Sequence, residues 1–183
     1  GRDEPIKLAV VDVSKAYRRV PVHPEDRPLL GIEFLDLSKP IPDYVLAGAA
    51  PRPEDLRLYF CNRMPFGLRS AVSRYLRVAY ALRYAFEDPG VQVDLLPPPP
   101  AVGSGDISIY LDDATLYAIG VPTALRMLER YCGLCDRAGL PVSHKKPEDM
   151  TPAERKVALG VEFDTGAMSM RVPEERLHQL LEL

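Results

Sequence analysis

The order of apolar and polar positions along the chain predicts alternating strands and helices. Runs rich in β-branched and aromatic residues, typical of strands, occupy residues 7–13, 30–34, 56–62, 107–109, 114–119, 157–164 and 167–172. Longer segments with helical spacing of apolar residues occupy residues 70–86, 122–138 and 173–183. A short helical turn is expected over 14–19. This mixture predicts an α+β fold with hairpins over 30–62, 107–119 and 157–172.

The two long helices are each expected to bury one face. On the second, the predicted core face contains Leu125, Leu128, Cys132 and Cys135. On the first, the aromatic residues, Tyr75 and Tyr80 among them, are interpreted as core; stacking on nucleic-acid bases is the alternative.

Two stretches are predicted to lack regular structure or to contain very little. Residues 94–105 hold four consecutive prolines followed by glycines, which predicts an exposed linker, extended and then flexible. Thr151 to Glu154 has the pattern of a capping box with proline at the first helical position, which predicts a very short helix.

Composition is consistent with one compact soluble domain. The chain has 183 residues, 46% of them hydrophobic, which is enough to bury a core. The sequence has no membrane-spanning run and no signal-peptide pattern, so an intracellular location, cytoplasmic or nuclear, is expected. Cys132 and Cys135 form a C-x-x-C inside a helix, and without a second ligand pair core packing is favoured over zinc binding.

Three aspartates are the candidate chemical centre. Asp112 and Asp113 lie side by side at the predicted tip of a hairpin, where two like charges favour a bound cation, although a solvated acidic turn is the alternative. Asp12 interrupts an apolar strand; it is expected to be buried and to need a metal or several donors, or else to cap the next turn. If the three residues meet, they form an oxygen-rich site of the kind that binds two metal ions.

Five stretches resemble the palm blocks of reverse transcriptases and follow the same order along the chain. The subgroup that they resemble most is that of retrotransposons with long terminal repeats or a tyrosine recombinase. The Tyr110 to Asp113 stretch resembles the family's Tyr-x-Asp-Asp box. The five stretches are residues 12–34, 63–71, 110–113, 139–146 and 159–163.

The resemblance implies a polymerase palm, an antiparallel sheet backed by helices, over residues 1–172, with 173–183 as the start of a thumb-like helix. Residues 36–55 would be an insertion within it, and fingers and thumb would be largely absent. The implied activity is RNA-directed DNA synthesis, in which two metal ions assist transfer of a nucleotide to a primer 3′-hydroxyl. A domesticated or fragmentary domain that binds or assembles without catalysis is the alternative.

Site residues carry over by position. Asp12, Asp112 and Asp113 would bind two Mg²⁺ or Mn²⁺ ions, and Lys146 would protonate the departing pyrophosphate. Tyr17 would exclude the ribose 2′-hydroxyl, or else pack as a simple core aromatic. The remaining substrate-binding positions are Phe66, Gly67, Arg69 and Tyr110.

Net charge and length set the expected partners. The implied partners are an RNA or DNA template-primer and deoxynucleoside triphosphates, with fingers and thumb supplied by missing sequence or another chain; no membrane partner is expected. A formal charge of −3 predicts weak binding to nucleic acid, despite local basic clusters. These basic clusters are Arg18 with Arg19, Arg69 with Arg74 and Arg77, and Lys145 with Lys146. In one further respect the chain departs from the family, which often has an acidic residue three positions after the first aspartate, where this chain has Lys15.

Overall fold

A computed structural model of the chain describes residues 4–65, 67–143 and 147–181. The chain divides into two compact units, residues 1–16 with 72–183 and residues 17–71. The strands are β1 (Ile6–Asp12), β2 (Gly31–Leu35), β3 (Leu56–Phe60), β4 (Gly105–Tyr110), β5 (Asp113–Ile119), β6 (Arg155–Ala158), β7 (Val161–Asp164) and β8 (Ser169–Arg171). The helices are α1 (Asp43–Leu46), α2 (Ala71–Glu87), α3 (Val121–Arg137), α4 (Pro147–Met150) and α5 (Glu174–Leu181).

The main sheet of the first unit is antiparallel, in the order β1-β5-β4. Apolar residues alternate along β5, so Ala114, Leu116 and Ala118 are buried while the residues between them are half-buried. Helix α3 packs against β5 and β1, and Val11 and Ile107 are fully buried in this core. Mixed helices and antiparallel sheet confirm the predicted α+β class.

Helices α2 and α3 lie against each other. The Phe86 and Tyr131 rings meet edge to face, with centroids 6.0 Å apart. Beyond α3, Gly139 has a φ of 69°, and Leu140 N–H donates to the Cys135 carbonyl at 2.9 Å. This left-handed glycine ends the helix where the sequence predicts its end.

The buried face of α3 differs from the predicted one. Leu125 is 49% exposed, whereas Met127, Tyr131 and Leu134 are buried, and only Cys135 belongs to both sets. Two neighbouring stripes share the helical spacing, and the one with Met127 and Tyr131 buries more apolar surface. The two cysteines pack within the helix as free thiols, Cys135 fully buried and Cys132 half-buried.

The predicted linker over 94–105 is not a flexible exposed segment throughout. Leu95 and Val102 are exposed, but Leu96, Pro97, Pro99 and Pro100 are half-buried. Leu96 packs against α3 at Gly133, where a Cβ would overlap the leucine side chain. Consecutive prolines have few conformations to lose, so contact with α3 fixes this segment. Gly105 already belongs to β4.

Two predictions near the C-terminal end are wrong in detail. Thr151 to Glu154 does not begin a helix; Leu8 and Ala153 exchange backbone hydrogen bonds of 2.7 and 3.0 Å, so pairing with β1 overrides the capping pattern. Residues 157–164 are not one strand, because Leu159 and Gly160, both with positive φ, form a tight turn between β6 and β7. The result is a three-stranded sheet, β6-β7-β8.

The second unit is built on the predicted hairpin of β2 and β3, in the register Gly31 opposite Phe60 to Leu35 opposite Leu56. Residues 36–55 form an ordered loop, closed at its base by a 2.8 Å hydrogen bond from Asp36 N–H to the Asp55 carbonyl. Inside the loop, the Tyr44 hydroxyl donates to the Asp55 carboxylate, and the Arg52 guanidinium lies 4.8 Å from the Tyr44 ring centroid. Within the described ranges, no helix combines the length and apolar character needed to cross a membrane.

Candidate active site

Asp12 and Asp113 face each other at one end of the main sheet. Asp12 ends β1, Asp113 begins β5, and the two residues are opposite in the antiparallel register. Val13 N–H donates to the Asp112 carbonyl at 3.0 Å, so Val13 and Asp112 form a hydrogen-bonded pair. The adjacent Asp12–Asp113 pair is therefore the narrow type, with Cα atoms about 4.5 Å apart and both side chains on one face of the sheet.

The same face contains Tyr110. Tyr110 ends β4 and is opposite Asp113, so a row of Tyr110, Asp113 and Asp12 crosses all three strands. The next residues along the strands, Val11 and Ala114, point to the opposite, buried face. Apolar packing on one face thus fixes which side chains emerge on the other.

Asp112 lies in the two-residue turn between β4 and β5, after Leu111. Leu111 has a φ of 56°, a left-handed conformation that destabilises a leucine by about 1–2 kcal/mol. Strained backbone of this kind is concentrated at functional sites, where the surrounding structure holds it in place. Here the β4–β5 ladder on one side and the Val13–Asp112 hydrogen bond on the other hold the turn.

A short backbone segment supports Asp12 from its other edge. Ser143 N–H donates to the Asp12 carbonyl at 2.7 Å, and Ser14 N–H donates to the Pro141 carbonyl at 2.9 Å. These contacts fix the end of β1 between β5 and residues 141–143. Lys146, which follows this segment, lies outside the described residues.

The burial of Asp12 is the part of this prediction that fails. Its side chain is exposed, whereas those of Asp112 and Asp113 are half-buried. The buried run of β1 ends at Val11. Val10, on the same face of the strand as Asp12, is still buried, so Asp12 is exposed because it lies at the end of the strand. Desolvation of Asp12 therefore supplies no reason for a metal, and the argument for a cation rests on the proximity of like charges.

The three aspartates fit the chemistry of Mg²⁺ or Mn²⁺ in donor type, since all offer carboxylate oxygens. Their backbones are brought together by the register described above. Among the described residues, however, no three His, Cys, Asp or Glu side chains are gathered into a cluster able to hold a metal ion. Asp12 and Asp113 each take part in other interactions.

The predicted substrate-binding residues divide between the two units. Tyr110, in the first, is 60% exposed beside the aspartates. Tyr17, Gly67 and Arg69 belong to the second. Tyr17 is only 6% exposed, Gly67 is exposed with a φ of 85°, and Arg69 is exposed. Phe66 lies outside the described residues.

Arg130 is the important polar residue that the sequence analysis missed. Its side chain is 1% exposed. Its guanidinium donates four hydrogen bonds to backbone carbonyls outside α3, and burial lowers its pKa. A readable signal existed, because Arg130 falls between Met127 and Leu134 on one stripe of α3. The acceptors are the carbonyls of Phe86 at 3.0 Å, Pro97 at 2.8 Å, Ala85 at 2.7 Å and Val91 at 3.0 Å.

Solved structures with the same arrangement identify the fold. The foamy viral protease-reverse transcriptase dRH, solved with double-stranded DNA, superposes with a TM-score of 0.65 and 14% identity over 98% of this chain. The foamy viral protease-reverse transcriptase, also with double-stranded DNA, gives 0.64 and 15% over 97%. The chain has a reverse-transcriptase-like fold.

The chain spans about a quarter of the length of those structures, 24% and 28%. Neither a protein-family profile nor a curated protein matches the sequence. The likeness confirms the predicted fold, and it rests on three-dimensional arrangement because sequence identity is low.

Proposed function

We propose that this chain is the palm of an RNA-directed DNA polymerase, of the retrotransposon type, which adds deoxynucleotides to a primer 3′-hydroxyl. The supporting observation is the register that sets Asp12 opposite Asp113, beside the strained Asp112 turn, within a reverse-transcriptase-like fold. Two carboxylates held this close on one face favour a bound cation between them.

Each residue has a proposed task. Asp12, Asp112 and Asp113 would hold the metal through their carboxylate oxygens. Two Mg²⁺ or Mn²⁺ ions bound there would supply Lewis acidity at the primer hydroxyl and neutralise charge on the triphosphate. Tyr110, exposed in the same row, contacts the primer end.

The remaining roles follow the family resemblance. Tyr17 selects against the 2′-hydroxyl, Phe66, Gly67 and Arg69 line the template and the incoming base, and Lys146 supplies a proton to pyrophosphate. With a net charge of −3, the chain depends on fingers and thumb segments from elsewhere for firm grip on template and primer.

A non-catalytic binding or assembly module is the second candidate. The second unit favours it, because its hairpin buries none of its residues and exposes Phe34, Leu58 and Phe60 by 57%, 51% and 52%. A two-stranded sheet of this kind is marginally stable alone, so a partner surface would stabilise it.

Titration with Mn²⁺ separates the two candidates, with the free ion measured by its electron paramagnetic resonance signal. Asp112→Asn is expected to weaken Mn²⁺ binding about tenfold or more. The matched control is Asp106→Asn. Asp106 lies on the same face of the sheet, four residues before Tyr110 along β4 and about 13 Å away, and it pairs with Arg83 at 3.6 Å. Equal affinity for wild type and Asp112→Asn would refute the polymerase proposal and leave the binding module.

A further inference from the structure

Helix α2 carries an exposed stripe of two arginines and two tyrosines, here called the α2 stripe: Arg74, Arg77, Tyr80 and Tyr84. Positions 77, 80 and 84 follow the spacing of one helical face, and Arg74 is three residues before Arg77. Tyr80 is 55% exposed and Tyr84 is 64% exposed, and both arginines are exposed. Tyr80 is therefore not the core residue that its sequence context predicts.

Packing does not require these side chains. The opposite face of α2 is buried through Ala71, Tyr75, Ala79, Leu82 and Phe86. Tyr75 is 1% exposed, so tyrosines of one helix serve in the core and on the surface at different angular positions. The two exposed rings leave apolar area in water with no gain in packing.

Charge indicates what the α2 stripe fits. Among the described residues, no ion pair involves Arg74 or Arg77, although the chain as a whole is acidic. Arg83, at the edge of the same helix, is already paired with Glu87 at 2.8 Å and Asp106 at 3.6 Å. The free positive charge of α2 therefore lies in its N-terminal half, next to the rings.

The C-terminal end of the stripe carries a counter-charge. The Tyr84 hydroxyl hydrogen-bonds the Asp88 carboxylate, which raises the pKa of Tyr84 and lowers that of Asp88. This bond fixes the hydroxyl end of Tyr84 and leaves the ring face exposed. Asp88 would repel a polyanion at this end, so the phosphates lie toward Arg74 and Arg77.

We propose that the α2 stripe binds single-stranded nucleic acid, with bases stacked on Tyr80 and Tyr84 and phosphates paired with Arg74 and Arg77. Aromatic faces beside cations are the general means of holding a strand without reading its sequence. Tyr80 and Tyr84 are about 6 Å apart along the helix axis, wider than the 3.4 Å step of a duplex strand, so the bases must be splayed. The inference rests on the proposed function only for the class of partner, and it does not involve the aspartates.

The test measures binding of fluorescein-labelled oligo(dT) and oligo(rU) of about 15 nucleotides, and of a duplex of equal length, at about 50 mM salt. The chain contains no tryptophan, so quenching of tyrosine emission reports stacking independently of the label. Comparing the two single strands decides whether DNA or RNA is preferred.

Tyr80→Ala with Tyr84→Ala is expected to lower single-strand affinity about 30-fold or more, because two stacking rings are lost, whereas Tyr80→Phe with Tyr84→Phe retains it because the rings remain. Arg74→Ala with Arg77→Ala should reduce the dependence of log affinity on log salt by about 1.4, or about 0.7 per lost phosphate contact. Tyr59→Ala and Arg126→Ala are the controls and should bind as wild type does. Circular dichroism establishes that each variant is folded.

Wild-type affinity in the double alanine variant, an equal loss in Tyr59→Ala, or preference for duplex would overturn the proposal. So would failure of the wild type to bind any oligonucleotide. Asp112→Asn should bind single strands normally. If Asp112→Asn also leaves Mn²⁺ affinity unchanged, the polymerase proposal fails while the stripe stands.

Discussion

Two polar centres in the first unit are built in opposite ways. The acidic edge (Asp12, Asp112 and Asp113) has like charges on an open face beside a strained turn. The Arg130 clamp (Arg130 with the carbonyls of Phe86, Ala85, Val91 and Pro97) is one buried charge whose three nitrogens all donate to backbone carbonyls. A buried charge that makes its hydrogen bonds within the fold stabilises the structure. Like charges that the fold holds close together are instead suited to binding a cation.

The clamp explains the order of the segment between α2 and β4. Residues 88–104 contain no helix or strand, yet one guanidinium binds the end of α2, the loop at Val91 and the proline run at Pro97. Because these carbonyls are distant in sequence from α3, the clamp joins three parts of the chain through one side chain.

Removing the clamp should have the largest effect on stability. Arg130→Ala leaves four carbonyls without their donor, and we expect the free energy of unfolding to fall by about 3 kcal/mol or more. Urea denaturation followed by circular dichroism measures this change. Arg126→Ala, an exposed arginine on the same helix, should change it by less than about 0.5 kcal/mol. Equal midpoints for the two variants would contradict the structural role of the clamp.

Raising the pH should have the second-largest effect on stability, through the two cysteine thiols of α3. Burial raises the pKa of the Cys135 thiol to about 12 and that of Cys132 to about 11. Between about pH 9 and 11 the unfolded chain releases these protons while the folded chain retains them, so the free energy of unfolding falls as pH rises.

Cys135→Ala removes one of these two thiols, so the loss of stability from about pH 9 to 10 should be about 1 kcal/mol smaller than in the wild type. Urea midpoints at each pH provide the measurement. An identical pH dependence in wild type and variant would show that Cys135 is not kept protonated by burial.

The smallest effect concerns the acidic edge itself. Leu111→Gly relieves the left-handed leucine and should raise the free energy of unfolding by up to about 1 kcal/mol. Leu159→Gly relieves a similar φ of 52° in the β6–β7 turn and should give a similar gain. Only Leu111→Gly should also weaken Mn²⁺ binding. A change in Mn²⁺ affinity with both variants, or with neither, would show that the backbone strain at Leu111 has no specific effect on metal binding.

Much of this structure could be predicted from local pattern. Apolar spacing and turn residues predict the positions of β1, the β2–β3 hairpin, the carboxylate hairpin and the long helices. They also place Asp112 and Asp113 at the tip of a hairpin. Local pattern does not show which segments distant in sequence contact one another in the fold. Pairing of Ala153 with Leu8, the stripe of α3 that is buried, and the carbonyls bound by Arg130 all depend on segments far apart in sequence.

Side-chain exposure was the weakest part of the prediction, for the same reason. Asp12 follows four buried residues and is nevertheless exposed, because it lies at the end of β1, beyond Val10, the last covered residue on its face of the strand. Tyr75 and Tyr80 have similar sequence surroundings, and only their angular positions on α2 separate core from surface. Both outcomes require knowledge of which face another element covers.

Paramagnetic broadening by Mn²⁺ in the amide spectrum of the whole chain tests the central claim, that the acidic edge and not the rest of the acidic surface binds a divalent cation. At low Mn²⁺, the amides of Val13, Asp112, Asp113 and Ala114 should broaden first, while those of Phe86 and Val91 at the clamp remain sharp. Asp112→Asn should remove this selectivity. Broadening centred on another acidic region, such as Glu87 and Asp94, or spread evenly over the surface, would contradict the account.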